Sequence, residues 1–406
     1  DSSGFGESVV ARLFLDGVVA ATDLRTNAYF GARAVQLRRQ LDTSFVGIGA
    51  EIHQTPEGFL LHAMPGSPSA RAGLRNGDRL IAVDDRSVED LTSQDVVDLI
   101  AGADGTTVRL TLSRRDIADP FDLEVRRGEV ERESVLGWRQ IGVDATGRPE
   151  WDWLVDPGAG IVFISIREFR EDVVRIFRTA LREASDALGP ERSVSGLIID
   201  LRNDPGGLRW VAEDIIDLFV SSGTIFSAEG RNDRVRSESA SSFVTRLESL
   251  PTVVLVNDGS ASASEIVAGT LQVDADAVVV GERTYGKGSV QTVRPLRNEG
   301  WALVTESWFT IPDGAGGRRL IDRSRAGSEW GIEPDLEVGA TLEETRSIMT
   351  ERGRWYSGLG LDTAPTTEPS SRGDRLTTTT DRELLLAIAL LRGRLLPTLV
   401  DPPAPQ

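Results

Sequence analysis

Pro251-Thr252-Val253-Val254-Leu255-Val256-Asn257-Asp258-Gly259-Ser260-Ala261-Ser262-Ala263-Ser264-Glu265-Ile266-Val267-Ala268-Gly269 reads as strand, turn and helix in immediate succession. Val253 to Val256 is an unbroken apolar run, the pattern of a strand buried on both faces. Asn257-Asp258-Gly259 is turn chemistry, and the helix behind it opens with small, hydroxylated residues. Such a junction sets a serine oxygen beside helix N-terminal N–H groups, which favour developing negative charge. A second apolar run, Ala277 to Val280, leads into Gly281-Glu282-Arg283-Thr284-Tyr285-Gly286-Lys287-Gly288.

Lys287 is the only lysine in the chain; the other 44 of the 45 basic residues are arginine. Arginine does nearly everything a surface lysine does, but it does not release its proton in a protein. A lone lysine on a glycine-flanked loop therefore suggests a task that needs deprotonation, such as serving as base for a nucleophile. Compositional bias with one chance survivor is the competing reading.

The absence of cysteine removes thiol nucleophiles, disulfides and cysteine metal sites. His53 and His62 are the only histidines and lie far upstream of the serine-rich turn. They read as strand or surface residues of an upstream domain, so a serine nucleophile here needs another base. The formal charge of −18 argues against nucleic-acid binding and against a polybasic membrane anchor. No apolar run approaches the roughly 20 residues of a membrane-spanning helix. The first residue is Asp, so a leader or anchor that preceded it would leave no trace here.

The chain divides by pattern into five parts. Residues 1–42 carry helical apolar stripes. Residues 43–116 form a small unit with His62 on a strand and a helix over Ser93 to Ala101. Residues 117–160 are connecting strands, with a hairpin near Asp156-Pro157-Gly158. Residues 161–340 alternate strand and helix, which predicts a layered α/β sheet with crossover helices. Within them, the polar stretch 228–246 reads as a loop or short helix. Residues 341–406 hold a Thr/Ser/Pro-rich linker and a last helix with Leu384, Leu385, Ile388, Leu391 and Leu395 on its apolar face. In α/β sheets, sites lie beyond the carboxyl ends of strands. Asp204-Pro205-Gly206-Gly207 and the Ser262 turn both occupy such places.

The run from Ser67-Pro68 through Ala72-Gly73-Leu74 to Gly77-Asp78 resembles a bacterial PDZ domain. Gly47-Ile48-Gly49-Ala50 sits where such domains place the loop that binds a peptide's terminal carboxylate. Successive backbone N–H groups can cradle that carboxylate while the peptide adds as a strand. The same glycines also fit a plain tight turn.

Three motifs in order, Ile199-Asp200-Leu201-Arg202-Asn203-Asp204-Pro205-Gly206-Gly207, Val256 to Glu265, and Gly286-Lys287-Gly288, resemble the C-terminal processing (tail-specific) peptidases of serine peptidase family S41. The likeness covers residues 10–340. It implies a ClpP- and crotonase-like α/β core joined to a PDZ domain, with helical terminal segments. It implies a Ser–Lys dyad, whose nucleophile is the middle serine of Ser-Ala-Ser-Ala-Ser, Ser262, and whose base is the lysine 25 residues later, Lys287. Gln291 falls where the family has a glutamine supporting that lysine. The oxyanion hole would use the N–H of Ala263 and of Gly206 or Gly207. No metal or organic cofactor is implied. The implied partners are polypeptides with free, apolar C-termini and an activating or adaptor protein, at the periplasm or cell envelope.

Read locally, Ser262 with Glu265 also fits a capping box, and Ser260 and Ser264 compete for the nucleophile's place. A lysine with its ordinary pKa of about 10.4 is overwhelmingly charged at neutral pH. A base at Lys287 is therefore expected to be mostly buried. Thr22 to Asn27 departs from the Asp-Pro-His of many members. A catalytically silent peptide-binding adaptor on the same fold is the alternative reading.

Overall fold

The computed structural model describes residues 26–31, 44–55, 58–64, 66–75, 77–89, 91–114, 116–131, 133–144, 148–230, 235–239, 247–296, 300–339 and 379–395, with isolated positions Gly17, Ala34 and Ile348. The expected helices of 1–42 and the linker of 359–380 lie largely outside these, apart from a short strand, Asn27–Tyr29, and residues 379 and 380. The chain splits into two units. One contains Asp42–Trp153 and Leu342–Thr380, the other Asp1–Leu41, Leu154–Thr341 and Asp381–Gln406.

In the first unit, β1 (Ser44–Gly47) is followed by β2 (Ala50–Thr55), β3 (Gly58–Ala63) and a short helix α1 (Pro68–Ala72). Then come β4 (Asp78–Val83), α2 (Ser93–Ile100), β5 (Thr107–Ser113), β6 (Phe121–Arg126) and β7 (Gly128–Glu131). The sheet runs β2-β3-β4-β5-β6, so β2 is an edge strand. β6 extends the small domain's sheet beyond residue 116, pairing along β5 from Thr107↔Arg126 to Leu112↔Phe121. β5 alternates inward Val108, Leu110 and Leu112, all buried, with outward polar residues, as a half-buried strand must. These residues join Phe59, Leu61, Leu80, Val96 and Ile100 in one core.

In the second unit, β8 (Leu154–Asp156) forms a hairpin with β9 (Ile161–Ile166). There follow α3 (Val173–Leu188), β10 (Gly196–Asp200), α4 (Arg209–Ile216), β11 (Thr224–Gly230) and β12 (Val235–Ser239). Next are β13 (Thr252–Val256), α5 (Ala263–Asp274), β14 (Val278–Gly281), β15 (Ser289–Pro295) and β16 (Trp301–Pro312). Leu336–Glu337 is β17, and α6 spans Arg382–Leu395.

The strands β9-β10-β13-β14-β17 lie side by side and parallel. Every residue of β9, β10 and β13 is buried, so both faces of these strands are covered and neither is left to solvent. A second, antiparallel sheet is built on the long β16, which pairs with β15, β11 and Asn27–Tyr29. The stretch expected as loop or short helix instead carries the end of β11 and β12, paired as Ser227↔Ser237 and Ala228↔Arg236. β12 is the outermost strand of this sheet. On α6, Leu384, Ala387, Ile388 and Leu391 are buried while Leu385 is exposed, so the buried stripe follows the helical period more narrowly than the leucine count suggests. A methyl group on Gly196 would lie 3.3 Å from Leu391, so β10 starts with glycine where α6 crosses it.

Candidate active site

Three neighbouring parallel strands, β10, β13 and β14, end side by side, and the loop after each carries one of the sequence motifs. The first two loops are sewn together. Asn203 N–H donates to Asn257 Oδ1 (2.8 Å) and Asn257 Nδ2 returns a bond to Asn203 Oδ1 (3.1 Å). Ala261 N–H donates to the Asp204 carbonyl (2.9 Å). Tyr285 N–H, from the third loop, donates to the Ser260 carbonyl (3.0 Å).

The three competing serines now separate. Ser260 is fully buried; its hydroxyl donates to the Leu201 carbonyl (2.8 Å) and accepts from Asn257 N–H (3.0 Å). Ser264 is fully buried and donates to the Asp204 carbonyl (3.0 Å). Ser262 alone is partly exposed. Its backbone has φ 58° and ψ −113°, a conformation L-residues rarely adopt. Such backbones cost about 1–3 kcal/mol and persist where the surrounding structure holds them.

Gly206 (φ 98°) lies directly against this turn. A methyl group there would come within 2.6 Å of the Ala261 carbonyl oxygen, 2.8 Å of Ala263 N and 2.8 Å of Ser262 Cβ. The Gly206 N–H is already donated to Asp204 Oδ1 (2.8 Å). Gly207 is bridged to Phe169 through its neighbours: Phe169 N–H donates to Gly206 O (2.8 Å) and Leu208 N–H to Phe169 O (2.7 Å). Of the two glycines, Gly207 is the one whose own N–H these turn bonds leave unused. Asp204 is fully buried, and that burial pushes its carboxyl well above the usual carboxylate range, with the Gly206 N–H opposing.

Glu265, in the first turn of α5, has no exposed surface. Its Oε2 accepts the N–H groups of Ser262 and Lys287, each at 2.8 Å. Its Oε1 accepts the Thr284 hydroxyl (2.6 Å) and Gly286 N–H (2.7 Å). Burial raises its pKa, and these four donors oppose the rise. The next N–H along, Gly288, donates to the buried Asp322 Oδ2 (3.0 Å), and Arg323 N–H donates to Gly286 O (3.0 Å). Trp330, between the guanidinium groups of Arg283 (5.2 Å) and Arg323 (4.5 Å), backs the same loop.

Lys287 is partly buried, and its backbone N–H is held by Glu265. Gln291 is half-buried on β15, opposite Thr305 and next to a register shift at Val290/Gln291. Such bulges redirect the side chains beside them.

In the small domain, Gly47 ends β1, Ile48 is buried in the core, Gly49 takes φ 66°, and Ala50 begins β2. The Ile48 carbonyl accepts Ser69 N–H (2.8 Å), and the Gly49 carbonyl accepts Met64 N–H (2.9 Å) and the Ser69 hydroxyl (2.8 Å). A methyl group on Gly49 would sit 2.4 Å from Ser67 Cβ. His53 and His62 lie on β2 and β3, remote in sequence from the serine turn. Among the described residues no group of three or more His, Cys, Asp or Glu is placed to hold a metal ion.

Glu265 is visible in the sequence only as a capping partner for Ser262, because its bonds to Thr284, Gly286 and Lys287 cross between loops. Arg202 entered the sequence reading only as a member of the first motif, and Asp322 gave no signal there.

Comparison with known proteins agrees with this architecture. Residues 160–338 match the profile of Peptidase family S41, and residues 62–114 that of the PDZ domain. A carboxy-terminal-processing protease of Bartonella bacilliformis is 29% identical over 335 residues, covering 81% of this chain and 70% of the relative. The carboxy-terminal processing protease CtpA of Bacillus subtilis is 31% identical over 306 residues, 74% of this chain and 60% of the relative. A CtpA-like serine protease of Staphylococcus haemolyticus is spanned over 55% of its length. A solved Bacteroides fragilis structure assigned to the S41 proteases superposes with TM-score 0.52 at 14% identity, over 88% of this chain and 92% of that one, a likeness of fold. The layered α/β core with its PDZ domain is thus the architecture of a serine peptidase. The chain belongs to peptidase family S41, among the carboxy-terminal processing proteases. The Gly47–Ala50 loop lies ahead of the residues that match the PDZ profile.

Proposed function

We propose that this chain is an endopeptidase that holds the C-terminal tail of a polypeptide on its PDZ domain and cuts a peptide bond with Ser262 and Lys287. The observation that carries the reading is the joining of the serine turn and the lysine loop at one buried carboxylate, with Ser262 the one serine of its run left partly exposed. The Lys287 amine takes the proton of the Ser262 hydroxyl as its oxygen bonds to the substrate carbonyl carbon. The resulting oxyanion is met by the N–H of Ala263 and of Gly207. The C–N bond then breaks and the ammonium returns the proton to the leaving amine. Water, deprotonated by the same amine, releases the acyl group from Ser262. Gln291 orients the amine.

The tail adds as a strand along β2, the edge of its sheet, with its carboxylate on Gly47, Ile48, Gly49 and Ala50. Apolar C-termini are the substrate class, an adaptor protein fits as a further partner, and an extracytoplasmic site of action belongs to the same reading. The test is a proteolysis time course on an unfolded protein with an apolar C-terminus, comparing the parent with Lys287→Arg. Cleavage by the parent alone supports a deprotonated lysine; equal cleavage by both sinks the dyad. Tail binding without cleavage by the parent favours the adaptor.

A further inference from the structure

Glu265 does more than cap a helix. A capping box needs one bond, from the glutamate back to the N-cap N–H, and Ser262 N–H supplies it. Three further donors arrive from a different loop, 19 to 22 residues on: the Thr284 hydroxyl, Gly286 N–H and Lys287 N–H. Each carboxylate oxygen accepts two donors, so no lone pair remains for a proton and the group is held ionised. The Thr284 oxygen also accepts Ile332 N–H (2.7 Å), which fixes the hydroxyl in place beside the carboxylate.

No arginine forms an ion pair with Glu265 among the described residues. A fully buried charge satisfied only by N–H and O–H groups is expensive to hold, and an apolar residue of similar size would usually be no less stable. Its location supplies the compensating reason. The same oxygen, Oε2, bonds the backbone of Ser262 and the backbone of Lys287. Resting on the dyad reading above, we infer that Glu265 is the positioning residue of this site: a single carboxylate sets the nucleophile's backbone and the base's backbone at a common distance. The lysine loop then docks or leaves as a unit, since moving it breaks three bonds to a buried charge at once.

Glutamine at this position keeps the shape and turns one oxygen into an NH2 group. Whichever end it occupies, that NH2 faces two donors, so one pair of bonds is lost. The experiment measures covalent labelling of Ser262 by a small fluorophosphonate, per folded molecule, alongside peptide kcat and KM. Glu265→Gln is expected to label about 100-fold more slowly than the parent, with kcat reduced equally and KM unchanged. Labelling of folded Glu265→Gln at the parent rate overturns the inference, because a merely structural role changes the folded fraction and not the rate within it. Thr284→Val and Thr284→Ser remove and keep one donor without touching the carboxylate, should Glu265→Gln fold poorly. A loss of about five- to tenfold in Thr284→Val, restored in Thr284→Ser, supports the inference, and equal rates in both overturn it. Lys287→Arg separates the two layers. If it labels like the parent, the dyad itself fails; if it is silent while Glu265→Gln is normal, only the positioning role fails.

Discussion

Arg202 and Asp381 meet through two parallel hydrogen bonds, Nη1 to Oδ1 at 2.9 Å and Nη2 to Oδ2 at 3.0 Å, across 179 residues of chain. Asp200 grips the same guanidinium from Nε (2.9 Å) and Nη2 (3.0 Å), and Glu383 reaches Nη1. Arg202 begins the loop that leads to Gly206, so the start of α6 is fastened to the root of the site. Removing one partner of a buried, bidentate pair typically costs about 3–5 kcal/mol. Asp381→Ala is expected to lose stability of that order in urea unfolding, and to lose peptidase activity before it loses its fold. A variant as stable and as active as the parent would show that α6 is an ornament to the site.

The same cluster makes stability depend on pH. Burial pushes the Glu383 carboxyl up to about 7 from 4.5, with Arg202 opposing and the carboxylates of Asp381 and Asp200 reinforcing. A raised carboxyl means that the folded protein keeps a proton that the unfolded chain has released. Its contribution is fully present below about 4.5 and is lost as pH rises through about 7. The loss is on the order of 3 kcal/mol. Thermal melts of the parent and Glu383→Gln should therefore agree best near pH 5 and diverge by pH 8, with the parent the weaker. A constant difference across that range would contradict the assignment.

Gly206→Ala should be nearly inactive. The new methyl group meets Ala261 O at 2.6 Å and Ala263 N at 2.8 Å, in a backbone conformation that alanine resists. Displacing an oxyanion donor costs about 10²- to 10³-fold in kcat. Affinity for a tail peptide, measured by calorimetry, should stay at the parent value. Parent-like kcat would mean that these N–H groups do not stabilise the oxyanion.

The three serines should answer differently to alanine. Ser262→Ala should abolish cleavage. Ser264→Ala should lose about 1 kcal/mol of stability and keep activity within tenfold, because Ala261 N–H still serves the Asp204 carbonyl. Ser260→Ala strands Asn257 N–H, while Asp204 N–H still serves the Leu201 carbonyl (3.1 Å), so its loss should be nearer 1–3 kcal/mol. Residual cleavage by Ser262→Ala that vanishes in either of the others would move the nucleophile.

Local chemistry carried much of this protein into plain view. Val253 to Val256 and the turn behind it announce a buried strand feeding a helix, and the structure has both, in β13 and α5. The solitary Lys287 stands out by residue type alone. Those features survive without a fold because propensity, periodicity and spacing act over a few residues. The choice among Ser260, Ser262 and Ser264 did not survive on local chemistry, since each carries the same hydroxyl; the family likeness and the 25-residue spacing to Lys287 favour Ser262, and the burial of the other two, against Leu201 and Asp204, agrees with it. Nor did the strand at Val235–Ser239, whose polar sequence becomes a strand only by pairing with β11. Glu265 and Arg202 reveal their roles last of all. Their partners come from other loops and from the far end of the chain, and a bond between distant residues leaves no periodic mark in a single sequence. It exists only once β10, β13 and β14 lie side by side and hold their loops within reach of one carboxylate and one guanidinium.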